Sequence, residues 1–140
     1  MSDVSYSYFK QQLLDGAADL LTANLKLALV QIGSGHYNVS PSTDQFLSAI
    51  SAGDRVAISP QLTTPSTTSG VFDVGNTVFA AVPPGPACGA LVLFIDTGNP
   101  ATSLLIAYFD SYSGLPVTPN GSDINVSFST GANKVFALVG

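Results

Sequence analysis

The sequence predicts a mostly β protein with one or two short helices: an antiparallel β-sandwich, jelly roll or barrel. Three observations predict it. Apolar residues fall in many short runs punctuated by Gly, Pro, Asn and Asp, not in long runs of helical period. All nine acidic residues are Asp, which serves turns and caps where Glu serves helix interiors. Strand-like runs do not alternate with long helical ones, which argues against a parallel α/β sheet. The 140 residues suit one domain, 1–140, with a short N-terminal helix at about 5–15.

The helix comes first. Ser5 or Ser7 is placed to cap it, Phe9 and Leu13 share a face, and Gly16 is placed to stop it. From Asn24 the period changes to two. Leu25, Leu27 and Leu29 alternate with Lys26, Ala28 and Val30, which predicts a strand with one strongly apolar face. Residues 34–41 read as a loop. Ser42 and Gln45, at capping-box spacing before Phe46, Leu47 and Ile50, predict a second short helix. Gly53 and Asp54 form a turn before a strand at Arg55–Ser59, closed by Pro60.

The polar stretch 61–69 reads as an extended loop or edge strand. Short strands follow at Gly70–Val74, with Val71 or Phe72 inward, and at Asn76–Val82. Pro83, Pro84, Gly85 and Pro86 break the chain. Ala90–Asp96 is almost wholly apolar, as expected of a central strand covered on both faces. With Ser103–Ser111 it makes the clearest hairpin, across the turn formers of 96–100. Residues 114–122 are a turn-rich loop. Ile124, Val126 and Phe128 alternate with Asn125 and Ser127, and Lys134–Val139 ends the chain as a strand. The sum is about eight strands and two short helices, with no internal repeat.

Charge is scarce. Only 9% of residues are Asp, Glu, Lys or Arg, against about 25% in an ordinary soluble domain. The four cations, Lys10, Lys26, Arg55 and Lys134, are scattered and the net charge is −5, which argues against nucleic acid and anionic membranes as partners. No run approaches the roughly 18 apolar residues of a membrane span, and the opening lacks the pattern of a secretory signal. An apolar, weakly charged chain stays in solution in one of two ways. Partner subunits cover its surface, or Ser, Thr, Asn and Gly dress it.

Little points to bond chemistry. The single histidine, His36, sits in a Gly/Ser loop, and no serine lies in a G-x-S-x-G elbow. One histidine and one cysteine, Cys88, fall short of the donors a zinc site needs, and Cys88 reads as a small buried hydrophobe. Asp15, Asp96, Asp110 and Asp123 stand where turns and strand ends use them. Calcium binding by Asn120–Asp123 is unspecific, and phosphate-cradling motifs are missing. The N-x-S triplets at Asn38, Asn120 and Asn125 carry no meaning without a secretory route. No cofactor is expected. A small hydrolase is the least supported function.

The order of motifs resembles a family of small structural proteins of tailed bacteriophages. The resemblance rests on Phe9-Lys10-Gln11-Gln12-Leu13-Leu14 with Gly16, and on the strand Leu25–Val30. It continues through Ala90–Gly98, Ser103–Asp110, Ile124–Phe128 and Val135–Leu138, most specifically in the hairpin. Residues 33–70 depart most from the family pattern. Within that group the chain is similar to capsid cement (decoration) proteins of short-tailed phages of the Bordetella type. That similarity implies a jelly-roll-like sandwich acting as a homodimer on the outer surface of the head, where it bridges major capsid protein subunits.

The resulting expectation is a non-enzymatic virion protein whose partners are the major capsid protein and a second copy of itself. The first candidate contact is the aromatic segment Tyr6, Tyr8 and Phe9; for Phe9, packing on its own sandwich is the competing reading. The second is the loop of Pro83, Pro84 and Pro86, with a plain rigid turn as the competing reading. The alternative function is a receptor- or carbohydrate-binding module of a tail fibre.

Overall fold

The structure is a computed structural model and describes residues 4–111, 115–127 and 136–137. The strands are β1 (Val4–Ser5), β2 (Leu25–Val30), β3 (Arg55–Ile58), β4 (Ser66–Thr68), β5 (Val71–Asp73), β6 (Thr77–Phe79), β7 (Ala90–Ile95), β8 (Leu104–Phe109), β9 (Ile124–Val126) and β10 (Phe136–Ala137). One α-helix, α1 (Ser7–Leu14), and one 3-10 turn, Leu47–Ala49, complete the described elements. The chain is therefore mostly β, as expected, with more and shorter strands than the apolar runs suggested.

A five-stranded antiparallel sheet, in the order β1-β8-β7-β2-β3, dominates. The expected hairpin is its centre: β7 and β8 pair from Leu91↔Phe109 to Ile95↔Leu104, with a bulge after Leu93. Strand β2 pairs with β7 along its whole length, Leu27 opposite Leu93 and Leu29 opposite Leu91. In β2, β7 and β8 the residues of both faces are buried, save Lys26 and the last residue of β7 and of β8. The expectation of a single apolar face for β2 thus falls short. Ala28 and Val30, on the face opposite the leucines, are fully buried in the core cluster too, so β2 is covered on both faces.

Two smaller sheets complete the β structure: β10-β5-β4 and β6-β9, both antiparallel. Phe72 of β5, Phe79 of β6 and Val126 of β9 join the same core cluster as the large sheet, which makes the arrangement sandwich-like. Strand β4 is fully exposed at the edge of its sheet, as expected of the Ser/Thr/Pro stretch. Phe128 and the remainder of the last strand expected from the sequence lie outside the described residues.

The start of α1 differs from expectation for a tertiary reason. Ser5 is not a cap, because its backbone pairs with Ala107 in β1–β8. Tyr6 occupies the N-cap position without a side-chain cap, and the carbonyl of Pro41 takes the Ser7 N–H at 2.9 Å. The stop is as read: Gly16, at φ 77°, donates its N–H to the Leu13 carbonyl at 3.2 Å.

The second helix is a correction. Its sequence contracts to the 3-10 turn Leu47–Ala49. The backbone is claimed by the sheet instead: Leu105 N–H donates to the Gln45 carbonyl at 3.0 Å, and Leu47 N–H to the Ser103 carbonyl at 2.8 Å. Ser42 is exposed outside this turn and caps nothing there, since Phe46 holds the N-cap position.

Candidate interaction surfaces

Tyr6 and Phe9 are not available to a partner. Tyr6 is 0% exposed and Phe9 1%, because the inner face of α1 packs on the large sheet beside β8. This corrects their place among the candidate contacts. An amphipathic helix turns its apolar stripe toward the core. The Tyr6 hydroxyl meets that of Tyr37 at 2.8 Å, and Tyr37 donates to Asp44 Oδ2 at 2.7 Å. Burial pushes both phenols well above the ordinary tyrosine range, and the neighbouring carboxylate of Asp44 adds to the effect. Tyr8 alone of the three keeps a surface. It is half-buried, edge-on to Phe46 with ring centroids 5.5 Å apart.

Pro83, Pro84 and Pro86 are exposed on a pinned loop. Gly121 N–H donates to the Val82 carbonyl at 2.7 Å, Gly85 N–H to the Pro119 carbonyl at 3.3 Å, and Cys88 and Val117 exchange two backbone bonds at 2.8 and 2.9 Å. The loop is thus a surface knuckle held at both ends. Cys88, at its base, is fully buried, and burial raises its thiol above the usual range. A hollow of about 430 Å³ next to the loop is lined by Ile32, Ala87, Gly89, Asp110 and Pro116.

An apolar surface that the sequence reading missed lies at the end of α1. Leu14, at the end of α1, is 84% exposed and Leu21 is 50% exposed. Beside them runs a groove of about 480 Å³, between the segment that follows α1 and the β4–β5 hairpin. Leu13, Leu20, Val71 and Phe72 line its apolar wall and Asp19 its polar one. A signal was present in the two doublets Leu13-Leu14 and Leu20-Leu21. Neighbouring side chains point in different directions, so an irregular segment seldom buries both members of such a pair. Here Leu20 is buried and Leu21 is not. Ile58, on the edge strand β3, is the other large apolar side chain exposed among the described residues, at 43%.

His36 serves as a loop anchor. Its Nδ1 lies 2.7 Å from Oδ1 of the buried Asp54, and the ring itself is well exposed, so the pair ties residues 33–37 to the turn before β3. Lys26 Nζ and Asp96 Oδ2 pair at 2.7 Å. The lysine and the Gly98 N–H together hold the Asp96 carboxyl below its ordinary range. The same Asp96 closes the β7–β8 turn through that Gly98 N–H at 2.9 Å, the duty its position in the sequence suggested. Among the described residues no three His, Cys, Asp or Glu gather as a metal site, and no helix is long and apolar enough to cross a membrane.

A scan against protein-family models and a search of curated proteins each found no match for this chain.

Proposed function

We propose that this protein is a non-enzymatic virion structural protein of the cement type, which binds the outside of a phage head and bridges major capsid protein subunits, itself as a homodimer. The observation that carries the reading is the exposed apolar surface around Leu14 and Leu21, on a chain with only four cations. An apolar groove flanked by exposed leucines offers a place for another protein to pack, and interface cores are poor in charge. The fold agrees with this use. A two-face-buried sheet gives a rigid body, and the pinned proline knuckle gives a second shaped contact. The sequence resemblance supplies the capsid as the partner, and its most specific segment forms the β7–β8 hairpin at the centre of the sheet.

Such a protein works by burying apolar area at subunit junctions, at roughly 25 cal/mol per Å², less the cost of association. Many copies on one shell turn a modest contact into mechanical stability. The test is to mix the purified chain with shells assembled without it, sediment them and count bound copies. Saturation at a fixed ratio to the major capsid protein, with a higher disruption temperature, is the expected result. Recovery only on tails, with no binding to shells, would replace this reading with a tail-fibre module.

A further inference from the structure

We propose that the groove beside Leu21 receives an apolar side chain carried on a lysine- or arginine-bearing segment of a different protein. The proposal rests on the reading above only in taking the partner to be a protein. Two features specify the occupant. The groove has the size and lining for an aromatic or branched aliphatic anchor: about 480 Å³, walled by Leu13, Leu20, Leu21, Val71 and Phe72. The charge that lines it is acidic. Asp19 is the charged residue in the lining, and the exposed Asp15 lies next to Gly16 at the rim. Lys10, one turn before Leu14, is the cation on α1. A cationic flank on the incoming segment therefore complements the rim.

The same charges weigh against a second copy of this chain as the occupant. A two-fold contact is self-complementary, so residues near the axis meet their own counterparts. Closing such a contact over Leu14 and Leu21 gathers two copies each of Asp15 and Asp19 around only two of Lys10, in a chain of net charge −5. Like charges brought together at an interface disfavour it. The homodimer of the proposed function then uses another surface, leaving this one for the foreign partner.

The test uses the isotope-labelled full chain and two short synthetic peptides. Both hold a central Phe-Leu pair; one is flanked by lysines, the other by glutamates. The expected result is saturable amide shifts at Leu20, Leu21, Val71 and Phe72 with the lysine peptide, and binding about tenfold weaker with the glutamate peptide. Asp19→Asn preserves the acceptor that takes the Leu21 N–H at 3.0 Å and removes the charge, so it should narrow that preference while the fold is kept. No shift with the lysine peptide, equal binding of both peptides, or shifts centred elsewhere would overturn the proposal. So would concentration-dependent shifts of the groove in the chain alone, which would make a second copy the occupant.

Shell sedimentation separates this claim from the previous one. If Leu14→Ser with Leu21→Ser abolishes binding of a chain that still melts normally, the groove is the capsid contact. If that variant binds shells as the wild type does, the groove claim fails as a capsid contact and the cement reading stands. If the wild type itself binds no shell, the cement reading fails, and the peptide titration decides the groove alone.

Discussion

The hydroxyls of Tyr6 and Tyr37 meet at 2.8 Å across 31 positions of the chain. The proton of Tyr37 is committed to Asp44 Oδ2 at 2.7 Å, so Tyr6 is the donor in the tyrosine pair. Asp44 Oδ2 also accepts the Ser40 N–H at 2.9 Å. The relay ties the N-cap of α1 to the loop after β2, and the Tyr37 ring lies 6.3 Å from that of Tyr108 in β8. The first two predictions concern this relay.

Tyr37→Phe should cost more than Tyr6→Phe. The first leaves the buried Tyr6 hydroxyl and one Asp44 lone pair without partners, about 1–3 kcal/mol. The second removes a donor while Tyr37 keeps Asp44, about 1 kcal/mol. Chemical denaturation of both variants checks the order; equal or inverted costs would show that the relay is not cooperative.

Alkali should unfold the protein through the same pair. Both phenols are pushed up by burial, so the fold favours their neutral forms. A raised folded pKa gives stability that is complete below the unfolded value of about 10 and is lost progressively above it. Denaturation midpoints measured between neutral pH and pH 11 should fall in the upper part of that range, and the double variant Tyr6→Phe, Tyr37→Phe should show a shallower fall.

Asp96 gives the opposite sign at the acid end. Its carboxyl is held low, first by Lys26 and then by the Gly98 N–H. That stability is present above the unfolded value of about 3.9 and is lost as the pH drops through the lowered folded one. Asp96→Asn should flatten the acid limb of a stability-pH curve without changing its slope near neutrality. An unchanged acid limb would mean that the pair contributes nothing.

Two leucines should respond very differently to truncation. Leu93, fully buried between Leu27 and Ala107, should lose about 2–5 kcal/mol on change to Ala. Leu14, at 84% exposure, should change stability by about 0.5 kcal/mol or less. Thermal melts of the two variants check this. A large loss at Leu14 would show that its surface is already covered, by a second copy for instance.

Cys88 should resist modification in the folded protein. The thiol is buried and its ionisation is disfavoured, and the thiolate is the reacting form. Iodoacetamide labelling near neutral pH should be slowed in proportion to the small population of opened molecules, and be faster in denaturant. Rapid labelling without denaturant would mean that the proline knuckle opens locally.

The mostly β class, the β7–β8 hairpin, the exposed edge at 66–68 and the glycine stop of α1 were legible in the sequence. Each depends on residues close together in the chain: an unbroken apolar run, a cluster of turn formers, a Ser/Thr stretch, a Gly after a periodic segment. Such patterns act through local backbone preference and side-chain period, which need no partner from elsewhere in the fold.

Tertiary structure decided the rest. The run from Ser42 to Ile50 has the spacing of a helix, yet Gln45 and Leu47 bond to the chain around β8, and a sheet partner outweighs a weak local preference. The aromatic residues of the N-terminus could not be sorted by sequence either. Tyr6 and Phe9 face the core and Tyr8 its margin, which follows from where β1 pairs with β8 and how α1 leaves it. The groove beside Leu21 exists only because the segment after α1 comes to lie along the β4–β5 hairpin, some fifty residues further along the chain. A doublet of leucines announces that one side chain will be left over. Where that side chain emerges, and what lies beside it, is fixed by long-range packing alone.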